Sequence, residues 1–238
     1  MESEFNKIKE IKNRTKSIDE FKELLKNEQE AVQQAVLAST AFSENMQIAL
    51  ATDISTPLEV MVALLKSHYV VVRNCLAANE KCPLEIIKMF FEKRDALMGV
   101  ASNPNTPKNL LESIFYIDNG IYKEFLSTNI SAPNKILEEL SADEDEYIRI
   151  NLASNLSATE KILTVLARDI SKEVRSKVAS NPNTPTTILD ELVQDSSYVS
   201  GIAKNNLKHR KSDQEKITEI QKKLHGTVES DFDEMSLL

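Results

Sequence analysis

The chain has 238 residues, 41% of them hydrophobic and 28% charged, with a formal net charge of −8, a balance that supports a real core and excludes a wholly disordered protein. No apolar run approaches the roughly 20 residues of a spanning helix, and MESEFNKIKEIKNR is charged from its second residue, so neither a membrane span nor a secretory signal is expected and the protein reads as cytoplasmic. Gly99, Gly120, Gly201 and Gly226 lie too far apart for a phosphate-cradling loop, and Cys75 and Cys82 with His68, His209 and His225 match no metal-ligand or nucleophile spacing; no metal and no cofactor are expected.

In chain order, residues 1–45 read as an irregular helical N-terminal cap. Ser17 and Glu20 make a capping box ahead of a helix whose Ile18, Phe21, Leu24 and Leu25 share one face, and Val32 to Ser39 resembles the second half of a degenerate repeat. From residue 46 to 209 a repeat takes over. The heptapeptide ASNPNTP stands at Ala101 to Pro107 and again at Ala179 to Pro185. Steps of 24 or 26 residues carry one Asn or Asp through Asp53, Asn79, Asn103, Asn129, Asn155, Asn181 and Asn205. Four residues after it come Pro57, Pro83, Pro107, Pro133, Thr159 and Pro185; two before it, a small residue such as Ala51, Ala77, Ala101 or Ala179.

Each unit reads as two short helices. The Asn is expected to stop the second helix in the left-handed conformation. Thr56, Thr106 and Thr184 are expected to cap the next helix with proline at its first position, Thr56 completing a capping box with Glu59. Apolar triplets then give one buried face per helix: Val60, Met61, Leu64; Ile86, Ile87, Phe90; Leu110, Leu111, Ile114; Ile136, Leu137, Leu140; Ile162, Leu163, Leu166; Ile188, Leu189, Leu192. Two such pieces cannot bury their faces alone, so six to seven units must stack as an all-α solenoid. Residues 210–226 read as a C-terminal helix, capped by Ser212 and Glu215 and stopped by Gly226; residues 227–238 read as an acidic, disordered tail.

The run Asp169, Arg175, Val178, Ala179, Asn181, Pro182, Thr184, Pro185, Ile188, Leu189 resembles the leucine-rich repeat variant family, over about Met46 to Asn205. That resemblance implies an α-helix paired with a short 3₁₀ or α-helix in each repeat and a right-handed superhelix. Some members carry a cysteine-rich iron–sulfur segment ahead of the repeats; with no cysteine before Cys75, that cofactor is not carried over.

Six residues before the repeat Asn stand Gln47, Arg73, Leu97, Lys123, Arg149, Arg175 and Val199. Two readings of this basic ladder remain open. Arg149 and Arg175 can brace Asp143 and Asp169 within their own repeats, while Arg73 and Lys123, with no Asp in that slot, keep their charge for a partner. The candidate partner-binding set is therefore Arg73, Lys123, Arg149 and Arg175 with Tyr122, Tyr147 and Tyr198. The function expected is a non-catalytic scaffold that binds a protein or peptide. The alternatives are a helical-repeat nucleic-acid binder that uses the basic ladder, which the −8 charge opposes, and an enzyme whose residues converge from several repeats.

Overall fold

The computed structural model describes residues 43–117 and 120–235, with side chains as far as residue 222. The N-terminal cap expected at 1–45 lies almost wholly outside these residues. Among the described residues all regular structure is helical, and no helix is long and apolar enough to cross a membrane. The chain divides into two compact units, 1–137 and 138–238.

The first unit holds α1 (Glu44–Thr52), α2 (Leu58–Leu64), α3 (Val70–Ala78), α4 (Leu84–Glu92), α5 (Leu97–Ser102), α6 (Lys108–Ile117) and α7 (Lys123–Thr128). Helix α8 (Asn134–Leu140) spans the division. The second unit holds α9 (Glu146–Ser154), α10 (Glu160–Leu166), α11 (Lys172–Ser180), α12 (Thr186–Leu192) and α13 (Val199–Met235).

The same layering appears in both units. The helices that end at or run through the repeat Asn or Asp position stack directly, α1 on α3 on α5 on α7 in the first unit and α9 on α11 on α13 in the second. Of the other helices, α2 packs against α1 and α3, α4 against α3 and α5, α6 against α5 and α7, α10 against α9 and α11, and α12 against α11 and α13. This is the stacked-pair architecture of an α-solenoid. Both members of each pair are α-helical, which corrects the 3₁₀ alternative for the second piece. Nearly all the apolar triplets are buried as expected; Leu110 alone is half-buried. At α5 the layers approach so closely that only glycine fits, since a β-carbon on Gly99 would collide with the Asn74 carbonyl oxygen. The Gly99 N–H donates to Asn74 Oδ1 at 3.0 Å across this contact.

The Asn signature works differently from the expectation. Asn79, Asn103, Asn155 and Asn181 have extended rather than left-handed backbones, for example φ −74° and ψ 122° at Asn103. Their value lies in the side chain. Asn103 Nδ2 donates to Ala77 O and Asn79 O of the preceding repeat at 2.7 and 2.8 Å, while its Oδ1 accepts the Asn105 N–H at 2.8 Å. Asn79, Asn129 and Asn181 repeat the pattern. A helix end leaves carbonyls without partners, and a buried carbonyl needs one; each Asn supplies donors to the helix end of its neighbour.

The threonines complete the arrangement. Thr56, Thr106 and Thr184 donate their hydroxyls back to Leu50, Val100 and Val178 carbonyls at 2.6 to 2.7 Å. They are therefore not N-caps, Thr56 makes no capping box with Glu59, and the helices start one residue later, after Pro57, Pro83 and Pro185 in extended conformation. Where proline is absent, Thr159 itself caps, its hydroxyl accepting the Ile162 N–H.

The C-terminal boundary also moves. Helix α13 runs unbroken from Val199 to Met235, so Ser212 starts nothing and Gly226 stops nothing. Extending an existing helix needs no new nucleus, and one interior glycine costs only about 1 kcal/mol relative to alanine. The tail expected to be disordered is helical to residue 235, and 236–238 lie outside the described residues. Because the chain stays helical, the last Asn of the series is Asn206 rather than Asn205: Asn206 Nδ2 donates to Ala179 O at 2.8 Å. Arg210, one turn on, donates to Thr184 O and Pro182 O and closes the last layer.

Candidate functional site

The basic ladder is where the sequence places a candidate surface. The structure brings each arginine to a carboxylate of the next repeat, not of its own. Arg73 Nε lies 2.7 Å from Asp95, Arg149 Nε 2.7 Å from Asp169 and Arg175 Nε 2.7 Å from Asp195. Toward its own repeat each arginine uses a different group: Nη1 donates to the backbone carbonyl six residues earlier, at Ser67, Asp143 and Asp169. One guanidinium thus joins the turn of its own repeat to the turn of the next, with the planar fork geometry that lysine lacks.

The expectation that Arg73 keeps a free charge is corrected by Asp95. Lys123 is half-buried and is not without a partner either. A neutral version of the brace opens the series, where the Ser67 hydroxyl donates to Gln47 Oε1 at 2.7 Å in a buried position.

Asp95 was hidden in the sequence because it sits two residues later than Asp143, Asp169 and Asp195 relative to its proline. Helix α4 is nine residues long, and the turn after it is closed by left-handed Arg94 and Ala96, with φ of 52° and 51°. Non-glycine residues in that region are strained by roughly 1 kcal/mol each, and the Arg73–Asp95 pair lies between them.

The carboxylates respond to these contacts. The Asp195 carboxyl is lowered to about 2, chiefly by hydrogen bonds from Arg175 and from the Ser197 hydroxyl. Burial pushes Asp169 upward, but hydrogen bonds from Arg149 and the Ser171 N–H outweigh it and leave the carboxyl below its ordinary value. Both are fixed as anions, and Arg149 and Arg175 are correspondingly harder to deprotonate. The two thiols are raised by burial, Cys82 to about 12. Among the described residues no group of three His, Cys, Asp or Glu side chains is placed to hold a metal.

Glu138, Glu139, Asp143, Glu144, Asp145 and Glu146 form an acidic run in the sequence, and part of it pairs within the second unit. Glu138 accepts from Lys161 at 2.6 Å, and Glu146 accepts the Ser171 hydroxyl at 2.6 Å.

Of the tyrosines, Tyr122 is half-buried at the entry to α7. Tyr147 and Tyr198 stand in the open, 75% and 52% exposed, at the entries to α9 and α13. Between them in repeat order lies Ile170, 94% exposed in the turn before α11. These three turns are the ones tied by Arg149–Asp169 and Arg175–Asp195, and Lys172 reaches to 5.9 Å from the Tyr198 ring centroid. The second unit therefore carries one exposed large side chain at or beside each of three successive turns: Tyr147 in the first turn of α9, Ile170 in the turn before α11 and Tyr198 just before α13. Ile170 was missed because an isolated isoleucine in a turn leaves no periodic signal.

No protein-family model matches the chain, and no curated protein does. It is similar to a solved structure described as a leucine-rich repeat variant with a novel repetitive protein structural motif, at 21% identity and a TM-score of 0.47, covering 79% of this chain and 76% of that one.

Proposed function

We propose that the chain is a non-catalytic interaction scaffold of the cytoplasm that holds a protein or peptide partner on the edge formed by Tyr147, Ile170 and Tyr198. The observation that carries this reading is the exposure of those three residues at or beside turns that the Arg–Asp braces hold in place. Tyrosine is enriched among the residues that dominate binding energy, and an edge fixed before binding loses little entropy when a partner docks.

The charged groups support the same reading. Asp169 and Asp195 are held as anions, the opposite of what a general acid needs. A nucleic-acid interface draws its affinity from Lys and Arg that reach phosphates, whereas Arg73, Arg149 and Arg175 are already bonded to carboxylates.

The test is affinity capture from native extract by the parent and by a Y147S/I170S/Y198S variant. All three side chains are exposed, so the variant should melt with the parent and lose the captured partner. Retention of the partner by the triple variant would refute the edge as the binding site.

A further inference from the structure

We propose that the first unit carries a docking site for a short acidic peptide with large apolar side chains, seated on Val70, Val71 and Met98 and held at one end by Lys66, Lys93 and Arg94. The site is separate from Tyr147, Ile170 and Tyr198 and stands whether or not they bind a partner.

The first observation is an exposed surface without charge. Arg73 is the only charged residue of α3, and α5 has none, in a chain of which 28% is charged. Arg73 is itself turned to Asp95 and to the Ser67 carbonyl. What the two neighbouring helices leave in solvent is apolar: Val70, Val71 and Met98 are 57%, 41% and 43% exposed. Single apolar residues scattered over a surface are ordinary, whereas a cluster on adjoining elements marks an interaction site.

The second observation is the geometry that joins these residues. Asn74 Nδ2 donates to Val70 O at 3.1 Å, and Asn74 Oδ1 accepts the Gly99 N–H at 3.0 Å. One amide thus ties the first residue of α3 to the residue after Met98, and the missing side chain of Gly99 lets the two helices come close enough for it. A surface fixed in this way loses little freedom when a ligand settles on it. The flexible thioether of Met98 adapts to apolar side chains of different shape.

The third observation is charge, and it selects the occupant. Lys66 and His68 stand in the turn before α3, Lys93 and Arg94 in the turn before α5, and all four are exposed. The Arg73 guanidinium, bonded to Ser67 O in one turn and to the Asp95 carboxylate in the other, sets these turns side by side. The side chains of Lys66, Lys93 and Arg94 make no ion pair among the described residues. Against them stand the paired Asp95 and one exposed acid, Glu92 at the end of α4. An uncharged helix face with three unpaired cations at one edge, on a chain of net charge −8, is the complement of an apolar segment that carries carboxylates at one end.

A phage library of random peptides of about a dozen residues, panned on the immobilised full chain, tests this. Enriched peptides should combine acidic residues with large apolar ones. A synthetic, fluorescein-labelled copy of the most enriched peptide then reports affinity by anisotropy. V70D/M98D should weaken binding by about tenfold or more, and the milder V70S/M98S should weaken it in the same direction. K66E/K93E should weaken it by about fivefold or more in low salt and by less as salt is added, while Y147S/I170S/Y198S should bind as the parent does. Val70, Met98, Lys66 and Lys93 are all exposed, and circular dichroism melts of each variant check that the repeats remain folded. Enrichment of basic peptides or of none would overturn the proposal, as would a peptide that binds V70S/M98S or K66E/K93E as tightly as the parent. A parent whose mass in sedimentation equilibrium rises with concentration and falls back in V70D/M98D would also overturn it, by giving the face to a second copy of the chain.

Discussion

Replacing Asn181 by alanine tests the repeat-joining mechanism most sharply. Asn181 is 3% exposed and makes three side-chain hydrogen bonds: to Ala153 O at 2.9 Å, to Asn155 O at 3.1 Å, and from the Asn183 N–H at 2.9 Å. Asn155 O keeps a second donor in the Ala158 N–H, and the exposed Asn183 N–H can turn to water. Ala153 O, at a buried residue, loses the donor that Asn181 brings. One stranded acceptor costs about 1–3 kcal/mol and each of the two lost but replaceable bonds about 0.5–1 kcal/mol, giving about 2–5 kcal/mol in all. For a domain of this size that lowers the melting temperature by roughly 4–20 °C. The control is Asn183→Ala, which removes one exposed contact to Leu156 O and should cost under about 1 kcal/mol. Thermal melts by far-UV circular dichroism measure both. If N181A melts within a degree of the parent, or N183A is the more damaging, the side-chain donors do not hold the repeats together.

Three further outcomes follow from the same geometry. The Asp195 carboxyl, lowered to about 2, contributes about 1–2 kcal/mol once solvent screening is allowed for; that stability is present above the ordinary carboxylate range and is lost as pH falls toward 2, so Arg175→Gln should destabilise at pH 7 and converge on the parent in acid melts. Gly99→Ala should cost about 1–3 kcal/mol by forcing α5 away from the Asn74 carbonyl, read as a drop in urea midpoint, whereas Gly201→Ala, with open space around it, should be neutral or stabilising. Leu163→Asp places an unpaired charge at a fully buried site of the second unit and should unfold that unit at 37 °C, read as collapse of amide-exchange protection across α9 to α12.

The apolar triplets were legible because burial is a local demand: one helix face must be apolar, and 3.6-residue periodicity states which. The phase of the Asn was legible for the same reason, but its role was not. Periodicity shows that a residue recurs; it does not show that the amide reaches back 24 to 28 residues to the previous helix end. The arginine pairing failed in the same way. Asp143 is near Arg149 in sequence, but stacking brings Asp169, 20 residues on, closer to its side chain. At the C-terminus Ser212 carries every mark of a helix start, and those marks lose their meaning once the preceding residues are already helical.

The proposed division of labour is that the arginines hold the repeats while Tyr147, Ile170 and Tyr198 hold the partner. One paired experiment separates the two roles, measuring the melting temperature and captured partner of Y147S/I170S/Y198S beside those of Arg175→Gln. The account predicts unchanged melting with lost capture for the first and lowered melting for the second. Lost capture at unchanged melting in Arg175→Gln, with capture intact in the triple variant, would contradict it and return the binding role to the basic ladder.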